Sequence, residues 1–220
     1  MAEGRWIDVS RPLDPARLLV WPGDPPLRAW LVSRIDPHSS GGSSANVTAA
    51  SLSLHSGTHI DAPRHYIPGG KAAEEIPLEA CIGPARLLHH APRRHLTASD
   101  LAAQLIAGAR RILLRTSSTG ATQSRFAEDY LALLPQAARR LVEEGIRLVG
   151  IDSPSIGPPG PEGEETHRIL LEAEVVVLEG LVLEGLPAGD YELVALPVAV
   201  WGSDGAPVRA AVRPLGKAES

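Results

Sequence analysis

An α/β fold with a mixed, partly parallel sheet is predicted, and three stretches in the middle of the chain predict it. Arg111-Ile-Leu-Leu-Arg115 is a short apolar run of the kind that fills a strand buried on both faces. Residues 125–144 follow with helical periodicity, Phe126, Tyr130, Leu133, Leu134, Ala137, Leu141 and Val142 recurring at three and four. Ile146-Arg-Leu-Val-Gly-Ile151 is then a second strand, begun directly after Gly145. Strand, helix and strand in that order imply neighbouring parallel strands.

The remaining elements can be taken in order. Residues 6–10 read as a short strand, and Trp21-Pro22-Gly23-Asp24-Pro25-Pro26 as a turn cluster headed by an aromatic ring. Residues 36–44 are a loop by composition. Residues 47–54 alternate apolar and small polar side chains, the pattern of a half-buried strand. A strand is expected at 85–89, and Thr97 or Ser99 can cap a helix over 100–107 that stops near Gly108. Pro135 is expected to kink or split the helix at 125–144. Residues 157–163 form a Pro/Gly loop before a helix over 166–173, a strand over 175–179, and short strands near 191–197 and 207–213. No internal repeat is found, and 220 residues suffice for one core, so residues 1–220 are read as a single domain.

Composition narrows the function classes. A net charge of -5, with acids and bases mixed along the chain, argues against a nucleic-acid partner, which requires a basic face. The single cysteine, Cys81, excludes an intrachain disulfide and a cysteine-rich zinc site. No apolar run approaches the ~18–20 residues of a membrane span, and the first residues lack a secretory signal. A cytoplasmic enzyme acting on a small molecule is the expectation.

The chemistry concentrates in His55-Ser-Gly-Thr-His59-Ile-Asp61-Ala-Pro-Arg-His65. Imidazoles beside a carboxylate are the donor mix for zinc, manganese or iron. On a helix His55 and His59 would share a face that Asp61 and His65 leave. A straight strand from 55 to 61 would span ~20 Å, too far for one ion. The segment must fold back, with Gly57 and Pro63 permitting the bend, so the reading places the donors on a bent loop rather than a regular element.

That pattern resembles the signature of the cyclase-like metal hydrolases, a family that includes bacterial kynurenine formamidases. Val20-Trp-Pro-Gly-Asp24, Gly150-Ile-Asp-Ser-Pro-Ser155, Leu178-Glu-Gly180, Ala188-Gly-Asp-Tyr-Glu-Leu-Val-Ala-Leu-Pro197 and Ala206-Pro-Val-Arg-Ala210 extend the resemblance from about residue 5 to 214. It implies a swivelling β/β/α fold, a homodimer, and two divalent ions per subunit, usually zinc, with manganese an alternative. His55, His59 and Asp61 would hold the first ion, Asp61 and Glu179 would bridge both, and His167 would complete the second. His65 would carry protons and Trp21 would line the substrate pocket. The implied reaction is hydrolysis of N-formyl-L-kynurenine to kynurenine and formate in tryptophan breakdown. Opening of a cyclic amide such as isatin, or metal and ligand binding without turnover, are the alternatives.

Other residues have competing readings. Glu174 and Glu184 rival Glu179, which is favoured because an acid inside Val-Val-Val-Leu-Glu-Gly is costly to bury without a partner. Trp21 could equally cover the core edge, and Asp152 could orient a ligand or cap a turn. His89, His90 and His95 read as surface residues and Cys81 as a buried apolar side chain. Residue 56 is Ser where the motif often has Thr, and residues 36–44, 117–124, 157–163 and 198–201 do not match what a formamidase leads one to expect. They weaken the choice of substrate, not of metal chemistry.

Overall fold

A computed structural model of the chain describes residues 4–18, 20–36, 43–90, 93–102, 106–116 and 129–216. In chain order the strands are β1 (Ile7–Asp8), β2 (Arg28–Ser33), β3 (Val47–Ser51), β4 (His59–Asp61), β5 (Ile82–His89), β6 (Arg111–Arg115), β7 (Leu148–Ile151), β8 (Val176–Glu179), β9 (Gly189–Val194), β10 (Gly205–Pro207) and β11 (Ala211–Pro214). The helices are α1 (Leu78–Cys81), α2 (Pro135–Glu143) and α3 (Pro161–Glu172).

Among the described residues, nine strands form one mixed sheet in the order β1-β11-β9-β5-β6-β7-β8-β4-β10, while β2 and β3 pair apart from it. The centre, β5 to β8, is parallel and both wings are antiparallel. Of these, β6, β7 and β8 are covered on both faces, which explains their apolar runs. Because side chains alternate across a strand, Ile112, Leu114, Val149, Ile151 and Val177 enter one core cluster with Leu141 and Leu170 of the helices. Leu113, Leu148, Val176 and Leu178 enter the other, where Ile60, Tyr191 and Val212 of the wings join them. The α/β architecture with a curled mixed sheet agrees with the expectation.

Several local expectations are corrected. The helix placed over 125–144 begins only at Pro135, which occupies the first helical position where its missing N–H costs nothing. Residues 129–134 run irregularly, since the N–H groups of Leu133 and Leu134 donate to Ile156 O and Leu96 O instead of to a helix; residues 125–128 lie outside the described residues. Conversely α3 starts at Pro161, within the stretch read as loop, by the same proline rule. The expected helix over 100–107 is described only in part: a 3₁₀ turn, Ala98–Leu101, follows Thr97, Ile106 is helical, and residues 103–105 lie outside the described residues. The strand read at 207–213 divides into β10 and β11. β3 is exposed on both faces rather than half-buried. His90 is buried, its Nε2 2.8 Å from Arg94 O, not on the surface. Cys81 is buried as expected, and burial pushes its thiol up to about 11.

A candidate dinuclear metal centre

The register of two strands assembles the centre. β4 runs antiparallel to β8 with His59 opposite Glu179, and side chains two apart share a face. His59, Asp61 and Glu179 therefore converge on one side of the sheet edge. The donors thus occupy a regular strand in part, contrary to the expectation of a bent loop; only His55, before the strand, and His65, in the 3₁₀ turn Pro63–His65, lie off it. Gly180 follows Glu179 with φ +68°, and a Cβ there would come within 2.2 Å of Gly57 O. Only glycine lets the motif segment approach the end of β8. α3 supplies His167 from the opposite direction.

All five side chains meet. His55 Nδ1 is 2.9 Å from Asp61 Oδ1, and His59 Nε2 is 3.5 Å from the same oxygen and 3.3 Å from Glu179 Oε2. His167 Nε2 lies 3.2 Å from Glu179 Oε1 and 3.7 Å from Asp61 Oδ2. Two donor sets result, His55/His59/Asp61 and Asp61/His167/Glu179, each with ligand atoms within 4.8 Å of one another. They share Asp61. Glu179 is the only one of the three competing glutamates that reaches the cluster: Glu184 is exposed and Glu174 pairs with Lys71.

The donor chemistry fits divalent ions. Each imidazole has its outer nitrogen tied to a fixed acceptor: His59 Nδ1 to Gly57 O at 3.1 Å, His167 Nδ1 to Gly163 O at 2.7 Å, and His55 Nε2 to Asp204 Oδ2 at 3.2 Å. Such outer partners set the tautomer and aim the other nitrogen inward. Inward, His59 Nε2 and Asp61 Oδ2 are buried with no hydrogen-bond partner, a cost that a cation removes.

The electrostatics point the same way. Burial alone would lower the imidazoles, but hydrogen bonds to Asp204 and Asp61 raise His55 to about 10, and the nearby carboxylates of Asp61 and Glu179 raise His59 to about 9. His167 is raised against burial by Glu179. Burial would raise Asp61, yet the histidines hold it well below the usual carboxylate range. Burial and the Asp61 charge push Glu179 up, and His167 and His59 bring it below its ordinary value.

Above the cluster opens a cavity of about 530 Å³, lined by His55, His59, His65, His167 and Glu179 and walled by Trp21, Tyr66, Tyr130, Ser155 and Asp204. His65 stacks on His55 at 4.1 Å, and Tyr66 stacks on His167 at 4.6 Å. Burial with the charges of Asp61 and Glu179 pushes the Tyr66 hydroxyl up to about 12. Trp21 faces the cavity with its ring edge-to-face to Tyr130 at 6.3 Å. Asp24, bonded by Ser53 Oγ at 2.6 Å, and Glu164 are carboxylates of the mouth. Asp152 stands apart, accepting from Thr116 N and Oγ1 between the ends of β6 and β7.

Sequence reasoning missed Asp204, which reaches both His55 and His65, as well as Tyr66 and Tyr130. A lone acid 139 residues from His65 carries no spacing signal; its only hint was its place just before the Ala-Pro-Val-Arg stretch.

Known proteins resemble this chain over nearly its whole length. The cyclase family profile matches residues 7–158. A kynurenine formamidase of Bacillus cereus is 38% identical over 215 residues, covering 98% of this chain and all of the relative. A solved structure described as a potential metal-dependent hydrolase with cyclase activity superposes with a TM-score of 0.80 at 30% identity, covering 96% of this chain and 98% of that one. Isatin hydrolase A from Labrenzia aggregata, bound to benzyl benzoate, superposes with a TM-score of 0.77 at 26% identity, covering 96% and 94%.

Proposed function

The chain belongs to the cyclase family and is a metal-dependent amide hydrolase, and from that premise we propose that it hydrolyses N-formyl-L-kynurenine to L-kynurenine and formate. The observation that carries the reading is the pair of donor sets sharing Asp61 at the floor of an aromatic-walled cavity, with His65 beside them. In this reading His55, His59 and Asp61 would hold one ion, and Asp61, His167 and Glu179 a second. Zinc suits this donor set, and manganese is the alternative. When bound, such ions polarise a carbonyl and lower the pKa of water to roughly 7.

The chain's own residues do the rest. Trp21 packs on the aniline ring of the substrate, with Tyr130 holding the indole edge-on. Asp24 and Glu164 suit the substrate's α-ammonium group. His65 gives a proton to the arylamine nitrogen as the formyl C–N bond breaks. Burial of His59, Asp61 and Glu179 keeps the donors rigid while the loops above them accept the ring.

The homodimer and cytoplasmic setting belong to the same proposal. The dimer is supported by β2 and β3, whose exposed Trp30, Leu31, Val32 and Val47 leave apolar surface on a two-stranded sheet that is marginal alone. Among the described residues no helix is long and apolar enough to cross a membrane.

The test is kynurenine release by zinc-loaded protein, with His65→Ala as control. Turnover that the variant loses by ~10²–10⁴-fold, with its zinc retained, is the expected result. No turnover with about two ions bound per chain sends the assignment to the second reading, ring opening of isatin, which the likeness to isatin hydrolase A favours.

A further inference from the structure

We propose that Asp204 is a positioning residue that fixes two histidines at once, so that metal retention and proton delivery depend on a single carboxylate. The inference rests on the ligand reading above and assigns a residue which that reading does not use.

The geometry is specific. Asp204 Oδ2 lies 3.2 Å from His55 Nε2 and 3.3 Å from His65 Nδ1, and the two rings stack face to face at 4.1 Å with 29° between planes. A carboxylate is an acceptor only, so both contacts draw an N–H toward the same oxygen. With Nε2 donating to Asp204, His55 turns Nδ1 toward Asp61 Oδ1, so Nδ1 is the nitrogen that would give up its proton to a metal. His65 is held with Nδ1 protonated, which leaves Nε2 to exchange a proton with substrate. One acceptor selects the tautomer of a ligand and of a proton carrier together.

The backbone keeps the carboxylate where it is. Ala62 N donates to Asp204 O at 2.9 Å, tying it to the end of β4. The next residue, Gly205, pairs with Asp61 across β10 and β4, and a Cβ on it would lie 2.6 Å from His55 Cε1. The His55 ring is thus seated against a bare backbone with Asp204 at its outer nitrogen. Ring stacking alone would let His65 turn over; the Asp204 contact distinguishes its two nitrogens.

Asp204→Asn and Asp204→Ala test this, with three readouts: zinc stoichiometry and affinity by chelator competition, kcat and KM at saturating zinc, and the same variants in a His65→Ala background. Wild-type protein is measured first; if it holds no zinc, the ligand reading and this inference fall together. The expected result is two ions still bound at saturation with affinity weakened ~10–100-fold. With zinc saturating, kcat falls ~10–100-fold and KM moves little. In the His65→Ala background Asp204→Asn costs little further kcat, because it acts through the ring already removed. Loss of one ion at saturation would make Asp204 a ligand instead and overturn the proposal. Full additivity with His65→Ala, or unchanged affinity and kcat in both variants, would overturn it too.

Discussion

The floor of the cavity and its wall are built differently. His59, Asp61 and Glu179 sit on paired strands, His167 sits inside a helix, and all four are buried. Trp21, Asp24 and Ser53 sit on irregular backbone and are half-buried. Strand register places a donor to within the tolerance of a coordination bond; a loop places a ring only as well as its neighbours hold it. In the proposed reading the difference separates two properties: bond cleavage would depend on the floor, and the choice of amide on the wall.

The largest effect should follow from breaking the floor at its shared donor. Asp61→Ala is expected to abolish binding of both ions, and activity should drop by on the order of 10³-fold or more. Metal analysis of the purified variant checks this: retention of one tight ion would mean that the two donor sets are independent.

A second effect concerns protons at the floor. Without metal, His55 at about 10 and His59 at about 9 hold protons against buried carboxylates. Both values are raised above the unfolded histidine near 6.5, so these pairs stabilise the metal-free fold fully below pH 6.5. That contribution is lost as pH rises through about 9 to 10. An ion must displace the same protons, so zinc affinity should fall about tenfold per pH unit for each proton displaced as pH is lowered. Melting temperatures with and without zinc should draw apart from pH 6 to 9, and parallel curves would show that metal and protons do not compete.

The smallest effect belongs to the wall. Trp21→Ala should raise KM for an aromatic formamide ~2–10-fold, the equivalent of ~0.5–1.5 kcal/mol of ring contact, with zinc content and kcat near wild type. Steady-state kinetics beside metal analysis would reveal any leak of the wall into the floor.

The same division governs what could be read in advance. The central strands at 111–115 and 146–151 were legible because burial on both faces writes a continuous apolar run. The donors in 55–65 were legible because they crowd into eleven residues, and Glu179 because an acid ends an apolar strand. β4 was not legible: three residues, two of them polar, carry no strand pattern, and only pairing with β8 makes them one. β2 was passed over for a related reason, since a hairpin exposed on both faces shows no alternation toward a core. The start of α2 was missed because periodicity continued through residues whose N–H groups bond elsewhere. Asp204 and Tyr130 join the site by tertiary approach alone.

The pairing of His59 with Glu179 has a consequence for the chain as a polymer. These residues stand 120 positions apart, and the segment between them contains the whole parallel centre of the sheet. An ion held by Asp61 and Glu179, which share a donor set, would work as a removable clasp on that long loop, a cross-link of the kind whose effect grows with the logarithm of the length enclosed. Supply of the ion would then raise the folded fraction of this protein as well as its active fraction.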